Sequence, residues 1–289
     1  MRRSSGALLV VISAASFGTL AVLAPFAYRE GASPATLLFL RFIIAGAVMA
    51  GTMVVRGIPF PQGKLLLGLI LMGGVWYVVQ TLAYFTALGK ASAGLAALLL
   101  YLYPALVTLL SVVFLKERVT RAKVLALGLA LVGTILTIGP SGEGELEGIL
   151  LALSAALLYA GYIVIGGRLM ERVRAFPATA VIMLAAGVTY AGIVVARGFE
   201  SPGTAAGWGA ILASAFFSII ALGTFFAGLE RIGSTNAAIL STIEPLVTVG
   251  LAAVMLGEKL EFVRIIGGFC ILGAVVVLGR DGTVEETRP

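Results

Sequence analysis

The hydrophobic pattern of this chain is one of long apolar runs broken by short clusters of charge, glycine and proline. A helix rises ~1.5 Å per residue, so ~20 residues cross a ~30 Å hydrocarbon core. Cutting the chain at its polar breaks predicts ten such helices, at residues 6–27, 34–55, 64–88, 92–115, 121–139, 146–167, 177–196, 205–228, 233–256 and 262–279. The tenth is the weakest, because only 15 uncharged residues separate Arg264 from Arg280. Gly89, Lys90 and Ala91 alone divide the third from the fourth, which predicts a tight helical hairpin. Arg2 and Arg3 precede the first run as in a signal sequence. However, Ser4 to Tyr28 runs 25 residues without a charge and ends in no small-x-small cleavage site, so it reads as a first spanning helix.

Composition agrees with that pattern. Of 289 residues, 60% are hydrophobic and 12% charged, against roughly 25% charged in a soluble domain. Lipid must cover the surplus apolar surface. The net charge of +6 lies in the short loops, so it points to membrane topology and not to nucleic acid. With the N-terminus inside, fourteen Lys and Arg fall in cytoplasmic segments, five fall outside, and Arg41 lies within a span. That bias places both termini in the cytoplasm. The loop with Glu143, Glu145 and Glu147 then falls outside, and residues 281–289 read as a disordered cytoplasmic tail.

The two halves repeat. Ser13-Ala14-Ala15 recurs as Ser154-Ala155-Ala156, and Pro34-Ala35-Thr36 as Pro177-Ala178-Thr179. Residues 84–118 match 225–259 at ten of 35 positions, including Pro104/Pro245 and Glu117/Glu258. Five spans per half is an odd number, so the second half must be inverted relative to the first. The expectation is an all-α integral membrane protein of ten transmembrane helices, built as two inverted five-helix repeats over residues 1–140 and 146–280. Such repeats let two similar halves exchange conformations around a central site, which points to a transporter.

The ends of the halves also carry a family resemblance. Ala87-Leu88, Pro104 and Leu115-Lys116-Glu117-Arg118-Val119-Thr120 lie in the first. Leu229, Glu244-Pro245 and Leu256-Gly257-Glu258-Lys259-Leu260 lie in the second, and Leu40-Arg41-Phe42 marks the second span. In their order and doubling these resemble the drug/metabolite transporter superfamily, in its EamA branch, over essentially the whole chain. The chain departs from many relatives at Phe17-Gly18, where they carry Trp-Gly, and at Lys116, where glycine is usual. The resemblance implies a carrier in a prokaryotic inner membrane, exporting amino acids, other metabolites or toxic compounds.

Two charges stand within the spans. Glu244 lies mid-span in the ninth, where a carboxylate costs on the order of 2.5–3.5 kcal/mol on insertion scales. Desolvation favours its neutral form, so it is a candidate for proton coupling or for binding a substrate amine. Arg41 is expected at a matching depth, either pairing with Glu244 as a gate, forming a permanent ion pair, or snorkelling outward. Pro104 and Pro245 each remove a backbone donor and disturb the carbonyls of Leu100 and Ser241. Disturbed backbone is tolerated in a membrane only beside protein or a watery cavity, so both helices are expected to flank the site. Trp76, Gln80 and Tyr84 share one face of the third span, with Tyr77 beside them. Tyr101, Tyr103, Tyr159, Tyr162, Asn236 and Ser241 complete the candidate lining, an aromatic, weakly polar cavity suited to amphipathic solutes. Each of these is equally readable as core. Glu117 and Glu258 are expected to favour the N-termini of the helices that follow them. Gly128 and Gly133 in the fifth span, and Gly267, Gly268 and Gly273 in the tenth, are expected to give close helix contacts.

The chemistry missing from the chain narrows the reading further. There is no histidine, the only aspartate is Asp281 and the only cysteine is Cys270. Aspartyl, Ser/His and metal-dependent hydrolysis therefore lack their residues, and no metal or cofactor is expected. No P-loop is present, so the chain has no ATP-driven step of its own. The expected function is a non-ATP secondary transporter, a monomer or weak homodimer, exporting small organic solutes by alternating access, with protons as the candidate coupling ion. A passive channel or facilitator is the alternative, and an intramembrane enzyme a more distant one.

Overall fold

The computed structural model describes residues 2–88, 90–91, 93–138, 145–256 and 262–286, and these are helical almost throughout. The helices are α1 (Arg2–Arg29), α2 (Pro34–Val55), α3 (Gly63–Leu71), α4 (Val78–Leu88), α5 (Ala93–Leu100), α6 (Tyr103–Leu110) and α7 (Arg121–Ile138). They continue as α8 (Leu146–Met170), α9 (Ala175–Arg197), α10 (Ala205–Ile232), α11 (Ser234–Leu240), α12 (Ile243–Leu256) and α13 (Phe262–Glu286). Among the described residues, seven stretches are long and apolar enough to cross a bilayer. The other expected spans fall on α5–α6, α7 and α13, where Tyr103–Leu115 and Ile265–Val277 are shorter apolar segments. In lipid every backbone polar group must be satisfied within the segment, which is why helix is the repeating structure among the described residues. Hydroxyls follow the same logic: Ser16, Thr19, Thr108, Thr179 and Ser218 each donate to the carbonyl four residues earlier.

Three of the expected spans are interrupted. The third passes through a π-helical turn at Met72–Tyr77, between α3 and α4. The fourth breaks after Leu100 and restarts at Tyr103, with Pro104 in the first turn of α6. The ninth breaks after Leu240 and restarts at Ile243, two residues before Pro245. Both breaks fall where the missing proline donors put them. α13 also runs to Glu286, past the span end expected at residue 279 and into residues read as a disordered tail, because an existing helix propagates by one hydrogen bond per residue added.

The helices approach closely where glycine permits it. A Cβ at Gly46 of α2 would lie 2.8 Å from the backbone nitrogen of Leu184, and one at Gly187 of α9 would lie 2.9 Å from that of Ile43. A Cβ at Gly228 of α10 would meet the Gly6 carbonyl of α1 at 2.8 Å, and one at Gly133 of α7 would meet the Gly267 carbonyl of α13 at 2.7 Å. These three seams, α2–α9, α1–α10 and α7–α13, are the most extensive in the molecule, followed by α1–α12 and α4–α8. Gly128 does not take its expected part, since nothing lies within 4 Å of a Cβ there. A helix offers only one stripe to a neighbour, and Gly128 sits off the stripe that Gly133 occupies.

α1 and α10 run antiparallel, so Gly6 lies beside Arg231 and Ile232 while Glu30, at the other end, lies beside Gly207. We call these ends the N-terminal face and the far face. On the far face Lys90 pairs with Glu147 at 2.8 Å and Glu145 at 3.8 Å. The hydrogen bond and charge of Glu147, with Glu145 behind it, hold the Lys90 ammonium above its ordinary range. On the N-terminal face, Lys116 ends the second π-helical turn (Ser111–Leu115) with φ 55°, the one left-handed non-glycine among the described residues. That conformation is one that glycine adopts without the steric cost a Cβ brings. Glu117 reaches a helix start further along the chain. Its carboxylate lies where a Cβ of Gly233 would come within 3.2 Å of Oε1, at the start of α11. The left-handed turn at Lys116 redirects the chain toward α11. Its counterpart Glu258 lies outside the described residues, as do Gly89, Glu143 and Lys259.

Candidate functional site

The two broken helices meet. α6 packs on α11 on the N-terminal side of the breaks, whereas beyond them α5 packs on α8 and α12 on α1. The amides of Tyr101, Leu102, Ser241, Thr242 and Glu244 stay paired in turns through the breaks, and discontinuous helices of this kind near mid-membrane are where transporter sites are built. Glu244 lies in the first turn of α12, directly after the second break. The Tyr101 hydroxyl lies against its carboxyl, and Tyr84, Tyr103, Tyr159 and Tyr77 lie within its electrostatic reach. Tyr101, Tyr159 and Glu244 are each half-buried.

The aromatic residues form one continuous wall. Tyr101 lies 6.0 Å from Tyr103, Tyr103 meets Tyr159 edge-on at 4.7 Å, and Tyr159 stacks on Tyr162 at 6.3 Å. Tyr162 leads to Tyr77 at 5.4 Å, and Tyr77 meets Phe42 edge-on at 5.4 Å. Phe42 then stacks on Tyr190 at 6.1 Å. Offset and edge-to-face pairs each contribute about 0.5–1.5 kcal/mol beyond their buried area, so the wall is rigid. Tyr103 and Tyr162 are each 1% exposed. Tyr103 faces Ser241, but neither its hydroxyl nor that of Tyr162 has a partner in hydrogen-bond geometry. An unpaired hydroxyl in an apolar medium costs on the order of 1–3 kcal/mol.

The π-helical turn decides what the third span presents. Its extra residue rotates Trp76 onto α8, where Nε1 donates to the Leu158 carbonyl at 2.6 Å and the ring covers Gly161. Tyr77 turns inward and is 8% exposed. Gln80 is 6% exposed and Tyr84 half-buried. Asn236 donates to the Ile232 carbonyl at 2.7 Å, leaving its Oδ1 unpaired, and Ser241 donates to the Ala237 carbonyl at 2.9 Å.

Arg41 belongs to the other end of the wall. Its guanidinium lies over the Phe42 ring at 4.4 Å and beside the Tyr77 hydroxyl. Among the described residues no ion pair joins it to Glu244, and its Nε has no hydrogen-bond partner. Sequence reasoning missed Phe42 and Tyr190, which complete this end. Thr81 Oγ1 and Tyr190 Oη share a hydrogen bond of 2.5 Å. The signal that selected Tyr159 and Tyr162, a polar-tipped ring deep in an apolar span, was present at Tyr190 as well. A cleft of about 460 Å³ between α2, α4 and α9 runs from Ser33, Arg197 and Glu200 on the far face down to Tyr190.

Comparison with known proteins is consistent across sequence and structure. The model of the EamA-like transporter family matches residues 4–139 and 146–280. The uncharacterized transporter YcbK of Bacillus subtilis (strain 168) is 26% identical over 287 residues, covering 91% of this chain and 89% of that protein. An uncharacterized transporter of Archaeoglobus fulgidus is 28% identical over 277 residues, covering 96% of this chain and 97% of its own. A solved crystal structure superposes with a TM-score of 0.85 at 25% identity, over 96% of this chain and 99% of the other.

Proposed function

This chain belongs to the EamA-like transporter family, and from that membership of a family of membrane transporters we propose that it is a secondary exporter of small organic solutes, amino acids and related metabolites among them. The observation that carries the reading is the aromatic wall ending on Glu244 where two interrupted helices meet. Rings with polar tips suit amphipathic solutes, and a carboxylate enclosed by tyrosines suits an amine or a proton.

The mechanism we propose is alternating access between two inverted halves, residues 1–140 and 146–280. The pattern of packing supports it. Numbering the spans one to ten, the seams join two with seven, five with ten and four with nine, and one with eight is mirrored by three with six. Exchanging the halves maps this set onto itself. In the present state α6 and α11 close the N-terminal side while α5 and α12 lie against other helices, which supports a site facing the far side. With both termini in the cytoplasm of a prokaryotic cell, that is the exporting side. The Arg41–Glu244 gate then belongs to another state of the cycle.

Counterflow in proteoliposomes tests the reading, with radiolabelled amino acids as the first panel. A carrier gives saturable flux and accumulates label against unlabelled internal solute. Flux that stays linear with concentration indicates a channel and refutes the proposal. The Glu244→Gln variant tests coupling: its uptake is expected to lose dependence on external pH, and retained dependence removes the proton role.

A further inference from the structure

The aromatic wall lies between two charges. Glu244 lies at the Tyr101 end, and Arg41 lies over the Phe42 ring and beside Tyr77 toward the other. The wall therefore runs between a negative pole and a positive pole. The positive pole lacks a counter-charge. No carboxylate of a described residue lies within 4 Å of Arg41, and its Nε is buried without an acceptor. A guanidinium at this depth is costly unless paired. The Phe42 face and Tyr77 hydroxyl satisfy only part of its five-donor fork. The Phe42 ring on which it rests stacks on Tyr190, and Tyr190 lines the far-face cleft.

We propose that Arg41 is an anion subsite of the transport pathway, taking a carboxylate-sized group of the solute while Glu244 faces the solute's opposite end. This rests on the transporter reading and narrows it to solutes that carry an anionic group. The planar fork matches a carboxylate in bidentate fashion, and the neighbouring rings accept the apolar body that the carboxylate terminates.

Benzoate tests the subsite directly, since it is a carboxylate on a ring, and benzamide is its neutral isostere. The purified chain is placed in phosphatidylcholine nanodiscs, which supply no net anionic lipid, and each compound is titrated by thermal shift. Benzoate is expected to stabilise the wild type more than benzamide does. Arg41→Gln should weaken benzoate by ~10-fold or more, and Arg41→Lys should keep part of the effect, because it retains charge and loses the fork. Glu244→Gln should leave benzoate binding in place, which separates the two poles. Equal effects of benzoate and benzamide on the wild type, or benzoate binding unchanged in Arg41→Gln, overturn the proposal. Counterflow by the wild type distinguishes the two readings. If it succeeds while benzoate ignores Arg41, only the subsite fails; if counterflow fails, the transporter reading fails on its own account.

Discussion

The tightest approach between helices is at Gly73, inside the π-helical turn that aims Trp76 and Tyr77. A Cβ there would fall 2.7 Å from Cα of Ile182 and 2.9 Å from its carbonyl carbon, with the carbonyl oxygen nearer still. Ordinary contact begins near 3.4 Å, so Gly73→Ala forces α9 back by roughly 1 Å, and no side-chain rotation can absorb a clash with backbone. Overpacking of this kind costs about 1–3 kcal/mol. Alanine returns about 0.5–1 kcal/mol of backbone entropy in a helix, leaving a net loss of about 1–2 kcal/mol. For a chain of this size that is a fall in Tm of ~2–8 °C. Gly209→Ala in α10 is the control: nothing lies within 4 Å of its Cβ, so only the propensity gain remains. Melting of both variants in detergent, followed by fluorescence, measures the difference. A Gly73→Ala protein that melts with or above Gly209→Ala would refute the claim that this seam is set by backbone contact.

Two further predictions concern the faces. Lys116 holds φ 55°, a conformation costing roughly 1–2 kcal/mol in a residue with a Cβ, so Lys116→Gly should raise stability by about 1 kcal/mol after its own entropy loss, read as a higher Tm with unchanged transport. The Lys90 ammonium is held above its ordinary value of 10.5 by Glu147, so its contribution is complete below that pH and fades as pH rises through the higher folded value. Wild type should therefore lose stability relative to Lys90→Met only in that alkaline window, and less so in high salt, as Tm against pH for the two proteins would show.

Hydropathy located the helices well because lipid punishes any other arrangement: α2 was expected at 34–55 and occupies Pro34–Val55. Proline chemistry likewise placed the breaks at Leu100 and Ser241. Where neighbours decide, the sequence was silent. The i, i+4 face of Trp76, Gln80 and Tyr84 assumed regular α-helix, and the π turn at Met72–Tyr77 swings Trp76 onto Leu158 instead. No local rule announces that turn, nor the close approach of Gly73 to Ile182 within it. The Arg41–Glu244 pairing was inferred from depth, which is legible, without azimuth, which is not: equal depth leaves two side chains free to occupy opposite ends of one wall. Helix order along the chain likewise does not reveal that Glu117 comes against the start of α11.

The seams of this molecule also bear on how it is made. α1 finds its main partners in α10 and α12, α2 in α9, α4 in α8, and α7 in α13. Every one of those partners is synthesised after the helix it joins. The early helices therefore enter the bilayer with these flanks open, and α1, α2 and α7 wait in lipid for more than a hundred residues of further synthesis before theirs are covered. Assembly is thus a late, collective closure rather than a stepwise one, and a nascent chain halted near residue 140 holds ready-made docking surfaces for the missing half. Two separately expressed halves ought to find each other in one membrane, whereas either alone offers its unfilled grooves to quality-control proteases.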